Sequence, residues 1–582
     1  MVRRSSRNFL VVLIICLVAL AGAGAYRFLR PGATVAAPAV PSGGSLVSSL
    51  RTIPRTFNRF VDSSSASEVI AFLTSARLVR INRVTMDLEP MLAESWTRSA
   101  DNLTYTVKLR RGVKFSDGSP FSSADVVFSF RAAYDEKTKS VVGDTLRVHG
   151  KPLEVAAVDT NTVSIKFPAP FGPGLRILDN LPICPRHLLE KSLNDGTFAA
   201  AWDTATPPAK LAGLGPFVLR DYQAGQRLVF ERNPNYWRKD ASGARLPYLD
   251  RITLEIITDQ NAELLRLQSG QIDCMPSEIR AEDYAMLKQG ASAGRLHLSD
   301  LGVGLDADSL WFNLRKDAKI AEGRRAWLQH VELRRAISEA VDRKRFADTV
   351  FLGAAVPVFG PVSPANKAWF DPQVPVPSFD RARAAARLAS IGLKNKGADG
   401  VLVDAAGQPA RITLITQKGN TALERGAAVI RDDLKTIGLA IDIVPLDPGA
   451  IVDRWGKGDF DLIYFRFLTT DVDPAGSLDF WLSSGGRHLW NPGQAEPATD
   501  WERRMDDLMA RQVASLDQAE RKRLFGDVQR LFADQVPLLY FAAPHVFVAT
   551  SSRVLNATPV LMRPVVLWSA ETLAVQKRAG TE

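Results

Sequence analysis

The side chains best placed to do binding chemistry lie in Thr469–Pro474 (TTDVDP), directly after the apolar run Asp459–Leu468 (DFDLIYFRFL). If that run is a central strand, its carboxyl end is where ligands sit in open α/β sheets. Asp471 and Asp473 are then two carboxylates able to meet a cationic group. Asp473 has a second reading. Pro474 follows it, proline suits the first helical position, and an aspartate just before it caps the helix or turn. Asp471 has no such duty and is the better ligand candidate. Arg466 and Arg487 flank the segment, and each can grip a ligand carboxylate through parallel N–H bonds or close a salt bridge within the protein. Trp481, Trp490 and Asn491 follow in DFWLSSGGRHLWNPG, Trp311 stands in LWFNL, and Tyr540 with Phe541 lies near the C-terminus. Phe57, Asn58 and Asp62 occupy a loop after the first expected strand. Flat apolar rings beside hydrogen-bonding groups suit a wet cleft, although each aromatic also suits a core.

Catalytic chemistry has no comparable set of residues. The chain has no HExxH, no GxSxG and no lysine closing a glycine-rich phosphate loop. His149, His187, His297, His330, His488 and His545 are scattered, with none paired at metal-ligand spacing. Gly213-x-Gly215 precedes Pro216 and a strand rather than a helix, so it is no phosphate cradle. Asp432–Asp433 reads as a solvated helix face. These absences point to binding without catalysis, metal or cofactor.

The elements that must hold these residues are those of an α/β protein. Leu103–Leu109 alternates apolar and polar side chains as a half-buried strand does, Asp117–Gly118 supplies a turn, and Ser122 with Asp125 opens a helix. Gly44–Leu50 reads as a strand, and Ser65 with Glu68 as the capped start of a helix running to Val79. Leu153–Val158 and Thr162–Phe167 form a hairpin about Asp159–Asn161, and two more strands surround Ala224–Gly225. Tyr248–Ile257 is a strand and Asn261–Gln268 a helix. The clearest unit lies at 411–446. There a strand Arg411–Gln417 is followed by a helix opened by Thr421 and Glu424 and closed at Gly438, then by a strand Leu439–Leu446. This is a βαβ unit with a parallel pair. Asp459–Leu468, apolar on both faces, reads as a central parallel strand. Helices are expected near 331–348, 378–391, 502–514 and 518–533, and a returning strand at Val536–Ala549.

With 582 residues the chain is long enough for two or three lobes. Its 73 basic and 63 acidic side chains leave a net charge of +10 with no dense basic block beyond the N-terminus. That charge reads as a solvated surface and argues against nucleic acid as a partner. MVRRSSRN followed by the apolar run Phe9–Ala23 and small residues at Ala21–Ala25 reads as an export signal over residues 1–25. An uncleaved anchor over residues 9–29 is the alternative. Cys16 lacks the small neighbours of a lipoprotein site, and Arg3–Arg4 lies too far from Phe9–Leu10 for a twin-arginine signal. Residues 26–43 read as a linker. Cys184 and Cys274 remain after cleavage, and export permits either a disulfide or two separate buried thiols.

The stretch Leu88–Phe130 (LEPMLAESWTRSADNLTYTVKLRRGVKFSDGSPFSSADVVFSF) resembles the signature of the family-5 extracytoplasmic solute-binding proteins of ABC importers. The phrases GPFVLRDYQAGQRLVFERNPNYW, LPYLDRITLEII and LQSGQID resemble that family too, and the likeness covers about 44–575. It implies the two-lobed periplasmic-binding-protein fold of type II with an extra inserted subdomain in lobe one. Lobe one would comprise 44–80, 185–298 and 536–582, the insertion 81–184, and lobe two 299–535. It further implies a periplasmic monomer that closes by a hinge over a peptide or similar small solute and delivers it to a membrane permease. In peptide-binding members an aspartate in the pattern Asp-x-x-[Asp/Glu]-Pro pairs with the ligand's α-ammonium group. Here Asp471-Val472-Asp473-Pro474 is one residue shorter, and alignment on the proline puts Thr470 at that place. Opines, oligosaccharides and metal chelates, taken by relatives of the same fold, therefore stay open. A membrane-tethered sensor with the same lobes is the alternative function.

Overall fold

The computed structural model describes residues 41–466 and 472–576. The signal, the anchor and most of the linker, together with Thr470, Asp471 and the end of the run to Leu468, lie outside the described residues. Among those described, no helix is long and apolar enough to cross a membrane.

Two main sheets carry the lobes. In the first, Ser45–Leu50 runs parallel to Arg251–Ile256, which pairs antiparallel with Arg227–Arg232, itself paired with Phe217–Gln223. The second is ordered Ala440–Leu446, Arg411–Gln417, Leu462–Phe465, Ser309–Phe312, Leu538–Tyr540. Its βαβ unit is as expected: Arg411–Gln417 and Ala440–Leu446 are parallel, and the helix Thr421–Thr436 connects them. Leu462–Phe465 is buried on both faces because its alternate residues enter two different cores. Leu462 and Tyr464 join Leu310, Phe312 and Leu414, whereas Ile463 joins Trp311 and Ile415. An antiparallel sheet of Ala93–Arg98, Thr104–Leu109, Thr162–Lys166 and Glu154–Asp159 forms the body of the insertion. It packs its apolar face on the helix Ser123–Tyr134 around Phe115, Phe128 and Phe167.

Several boundaries differ from the sequence reading, each for a local reason. Ser64, not Ser65, caps the first helix, accepting from the Ser67 amide at 3.3 Å, and that helix ends at Thr74 rather than Val79. Its end is held by the 213–215 segment, where the Gly215 amide donates to the Thr74 carbonyl at 2.9 Å. A Cβ on Gly215 would lie 2.6 Å from the Ser75 nitrogen, so close backbone approach explains this glycine. The expected helix 331–348 is two, Val331–Ala340 and Arg343–Phe351, because Asp342 caps the second through the Lys344 and Arg345 amides at 3.0 and 3.1 Å. Asn420, not Thr421, caps the βαβ helix. The returning strand is also two. Leu538–Tyr540 is still in the second sheet, and only Ala542–Ser551 leaves it, to pair with Leu296–Val303. Cys184 and Cys274 are free, buried in separate cores, which excludes the disulfide reading. Burial pushes both thiols up to about 12.

The chain passes between the sheets twice, and the two passages lie side by side. The Gly304 amide donates to the Pro544 carbonyl at 2.8 Å, the Asp308 amide to Ala542 at 3.0 Å, and the Phe541 amide back to Asp308 at 3.0 Å.

Candidate functional site

Two cavities meet at this double passage and share a wall at Leu305 and Asp306. One, of about 150 Å³, is lined largely by Val362, Val472, Phe480, Trp481, Leu489, Phe525 and Tyr540, with Asp473 and Arg487 at its polar edge. The other, of about 260 Å³, is charged: Glu68 and Glu278 come from the first lobe, Arg83 from the start of the segment 81–184, Arg563 and His545 from the C-terminal segment, Asp306 from the passage, and Arg466 from just past the second-sheet strand Leu462–Phe465.

The electrostatics of the charged cavity are built on Asp308. It is fully buried, and it accepts from the Tyr464 hydroxyl and from Arg466 Nε, each at 2.5 Å. Tyr464 lies in the strand Leu462–Phe465 and Arg466 one residue beyond its end, and both reach the same carboxylate. Burial lowers the Arg466 pKa, but the charge and hydrogen bond of Asp308 outweigh it, and the guanidinium is held firmly charged. It lies over the Phe351 ring at 5.3 Å. Opposite, Arg563 binds Glu278 through two nitrogens, Nε at 3.1 Å. Burial raises the Glu278 carboxyl, and Arg563 more than reverses that, so it sits below its ordinary range. Arg83 donates to the Arg563 carbonyl, lies over the Phe72 ring at 4.8 Å and approaches Glu68 at 3.7 Å. Fixed charges of both signs in a partly desolvated cleft suit a zwitterionic or strongly polar solute. Among the described residues no group of three or more His, Cys, Asp or Glu side chains could hold a metal ion.

The structure brings together part of the expected set. Asp473, Trp481, Arg487 and Tyr540 line the apolar cavity, and Arg466 lines the charged one. Asp473 also caps the turn at Pro474, accepting from the Ala475 amide at 3.0 Å, and it binds Arg521 through both oxygens at 2.9 and 2.7 Å. Its carboxylate is thus committed to the protein. Arg487 is likewise paired with Asp479. Other expected residues are elsewhere. Trp490 is fully buried and donates to Glu502 at 3.0 Å, and Trp311 is a core side chain donating to Ser309 at 2.9 Å. Asn491 lines neither cavity. Phe57 packs edge-on against Tyr222 with centroids 5.3 Å apart. Asn58 is buried and staples its own loop to the Phe198 carbonyl at 2.8 Å, and Asp62 accepts from the Ser64 amide and hydroxyl. That loop reaches the charged cavity only through Ser63, and the helix that follows it through Ser65 and Glu68. The sequence reading missed Asp306, Asp308, Glu278 and Arg563. The last two are 285 residues apart and carry no mutual spacing signal.

The family model described as bacterial extracellular solute-binding proteins, family 5, matches residues 87–488. A probable ABC transporter-binding protein of Deinococcus radiodurans is 28% identical over 536 residues, 88% of this chain and 89% of its own. The oligopeptide-binding protein AppA of Bacillus subtilis is 26% identical over 93% of this chain and 94% of its own. The structure of the periplasmic binding protein MelB of Agrobacterium fabrum, in complex with stachyose, shares the fold with a TM-score of 0.77 at 21% identity. It covers 92% of this chain and 85% of MelB.

Proposed function

The chain belongs to the bacterial extracellular solute-binding proteins of family 5, and from that membership we propose that it captures a peptide or similar small polar solute and presents it to an ABC permease. The observation that carries the reading is the pair of cavities sharing Leu305 and Asp306 beside the double passage: the charged one is lined from both lobes, and the apolar one from the second lobe with Tyr540. A solute that touches both walls favours the closed arrangement over the open one by its differential affinity, and the permease reads the closed shape. Lobe one is taken as 44–80, 185–298 and the returning C-terminal segment, with 81–184 inserted, and lobe two as the continuous stretch between. Residues 1–25 direct export to the periplasm, and no step of the work is catalytic.

Asp471, next to cavity residues Val472 and Asp473, is the proposed partner for a ligand cation. Asp471→Asn should then weaken binding by about 2–5 kcal/mol while leaving the fold intact; titration calorimetry with the solute identified below checks it, and unchanged affinity rejects the role. A non-peptide solute is the second reading, favoured by the shortened Asp471–Pro474 spacing. Native mass spectrometry of the exported protein, before and after mild denaturation, separates the two. Released peptide masses support the first reading and a single non-peptide mass the second. Empty protein that no peptide, opine or oligosaccharide stabilises against heating would overturn both.

A further inference from the structure

We infer that the loop Phe167–Gly174 (FPAPFGPG) is a clasp that holds the closed state from outside the cavities, with Gly172 and Arg521 as its positioning residues; the inference rests on the solute-binding reading. The loop belongs to the insertion, yet its tip lies on the second lobe. The Gly172 amide donates to the Val513 carbonyl at 2.6 Å. Val513 ends the helix Asp500–Ala514, and its side chain enters the core of the insertion together with Phe171. A Cβ on Gly172 would stand 2.7 Å from Arg521 Nε and 2.8 Å from its Cδ, and closer still to the Ser515 carbonyl oxygen. No left-handed backbone angle calls for a glycine there. Close approach to the other lobe is what calls for it.

The loop is stiff where it must be. Pro168, Pro170 and Pro173 restrict its backbone, and Phe171 stacks on Phe167 with centroids 5.7 Å apart and planes 19° apart. Arg521, which receives the tip, is the same side chain that grips Asp473 through both terminal nitrogens. Its Nε donates to the Gln512 carbonyl at 3.2 Å, and its guanidinium lies over Trp369 at 5.0 Å. Asp473 is a wall of the apolar cavity. One contiguous path therefore runs from cavity wall to Asp473, Arg521 and Gly172. Its free energy adds to closure without touching solute, so it sets residence time rather than specificity.

The test compares wild type, Gly172→Ala and Arg521→Lys, each as the intact protein purified from the exported fraction, by hydrogen exchange and solution scattering. Arg521→Lys keeps the charge beside Asp473 but removes the fork, and it serves should Gly172→Ala fold poorly. We expect exchange in the loop 169–174, whose Gly172 amide is the donor, to be about tenfold faster and the radius of gyration to rise in both variants, with exchange in Thr104–Leu109 unchanged. Wild-type exchange at 169–174 in both variants overturns the clasp, as does an equal rise in Thr104–Leu109, which would mark general destabilisation. The same samples, weighed for bound solute, judge the solute-binding reading separately.

Discussion

At the scale of single residues, chemistry was legible where neighbours in sequence act together, and illegible where partners come from afar. Asp473 is the instructive case. Its proline neighbour announced a capping role, and the cap is there, but nothing in the sequence announced Arg521, 48 positions on, which binds both carboxylate oxygens. Trp490 and Trp311 look like cleft aromatics by type, but each indole N–H found a buried acceptor and the ring a core. The two free thiols give a sharp test at this scale. A thiol pushed up to about 12 by burial is almost wholly protonated at pH 8. Native protein should thus resist iodoacetamide, and Cys184 and Cys274 should both react in urea, as counted by intact mass. A third modified thiol in urea would be Cys16, showing that the N-terminal segment had been retained.

At the scale of elements, periodicity found the strands and helices, and capping chemistry decided their ends. The sequence reading expects one helix near 331–348, with Asp342 inside it. Asp342 breaks it by offering its carboxylate to two amides that a continuous helix would have paired with carbonyls. Asp342→Ala should cost about 1 kcal/mol, measured as a lower urea midpoint with an unchanged slope. Gly438 was read as the C-terminal glycine of the βαβ helix, and it stands there with φ +86°. An added Cβ would also lie 2.7 Å from Leu402 Cγ. Gly438→Ala therefore combines left-handed strain with a clash, and it should destabilise by more than about 1 kcal/mol in the same titration.

At the scale of the molecule, ion pairs join segments far apart in the chain and make stability depend on pH. Burial raises the Glu571 carboxyl, but Arg238 and Arg80 reverse this; Arg563 does the same for Glu278, and hydrogen bonds from His488, Gln494, Thr499 and Trp490 do so for Glu502. A carboxylate held below its unfolded pKa contributes stability that is present above that unfolded value and lost as pH falls through the folded one. Asp461 and Asp506, raised by burial, act in the opposite sense: they add stability as pH falls through their raised folded values toward the unfolded aspartate value. With three multiply bonded glutamates, two of them buried, against two aspartates, the urea midpoint should hold from pH 7 to about 4.5 and fall below it. A midpoint that climbs on acidification would show that the raised aspartates dominate.

The sequence by itself determined the α/β class, the βαβ unit, the double-faced burial of Leu462–Phe465, three of the four strands in the sheet spanning 93–166 and the family. These rest on local periodicity, turn chemistry and a long contiguous motif, all of which survive reading in one dimension. Only the tertiary structure decided which candidate side chains face a cavity, because that depends on which lobe meets which. It joined Glu278 to Arg563, Tyr464 and Arg466 to Asp308, and Gly172 to Val513. Each of these contacts is made by chain closure over scores or hundreds of residues, and closure leaves no mark in the spacing of the residues it brings together.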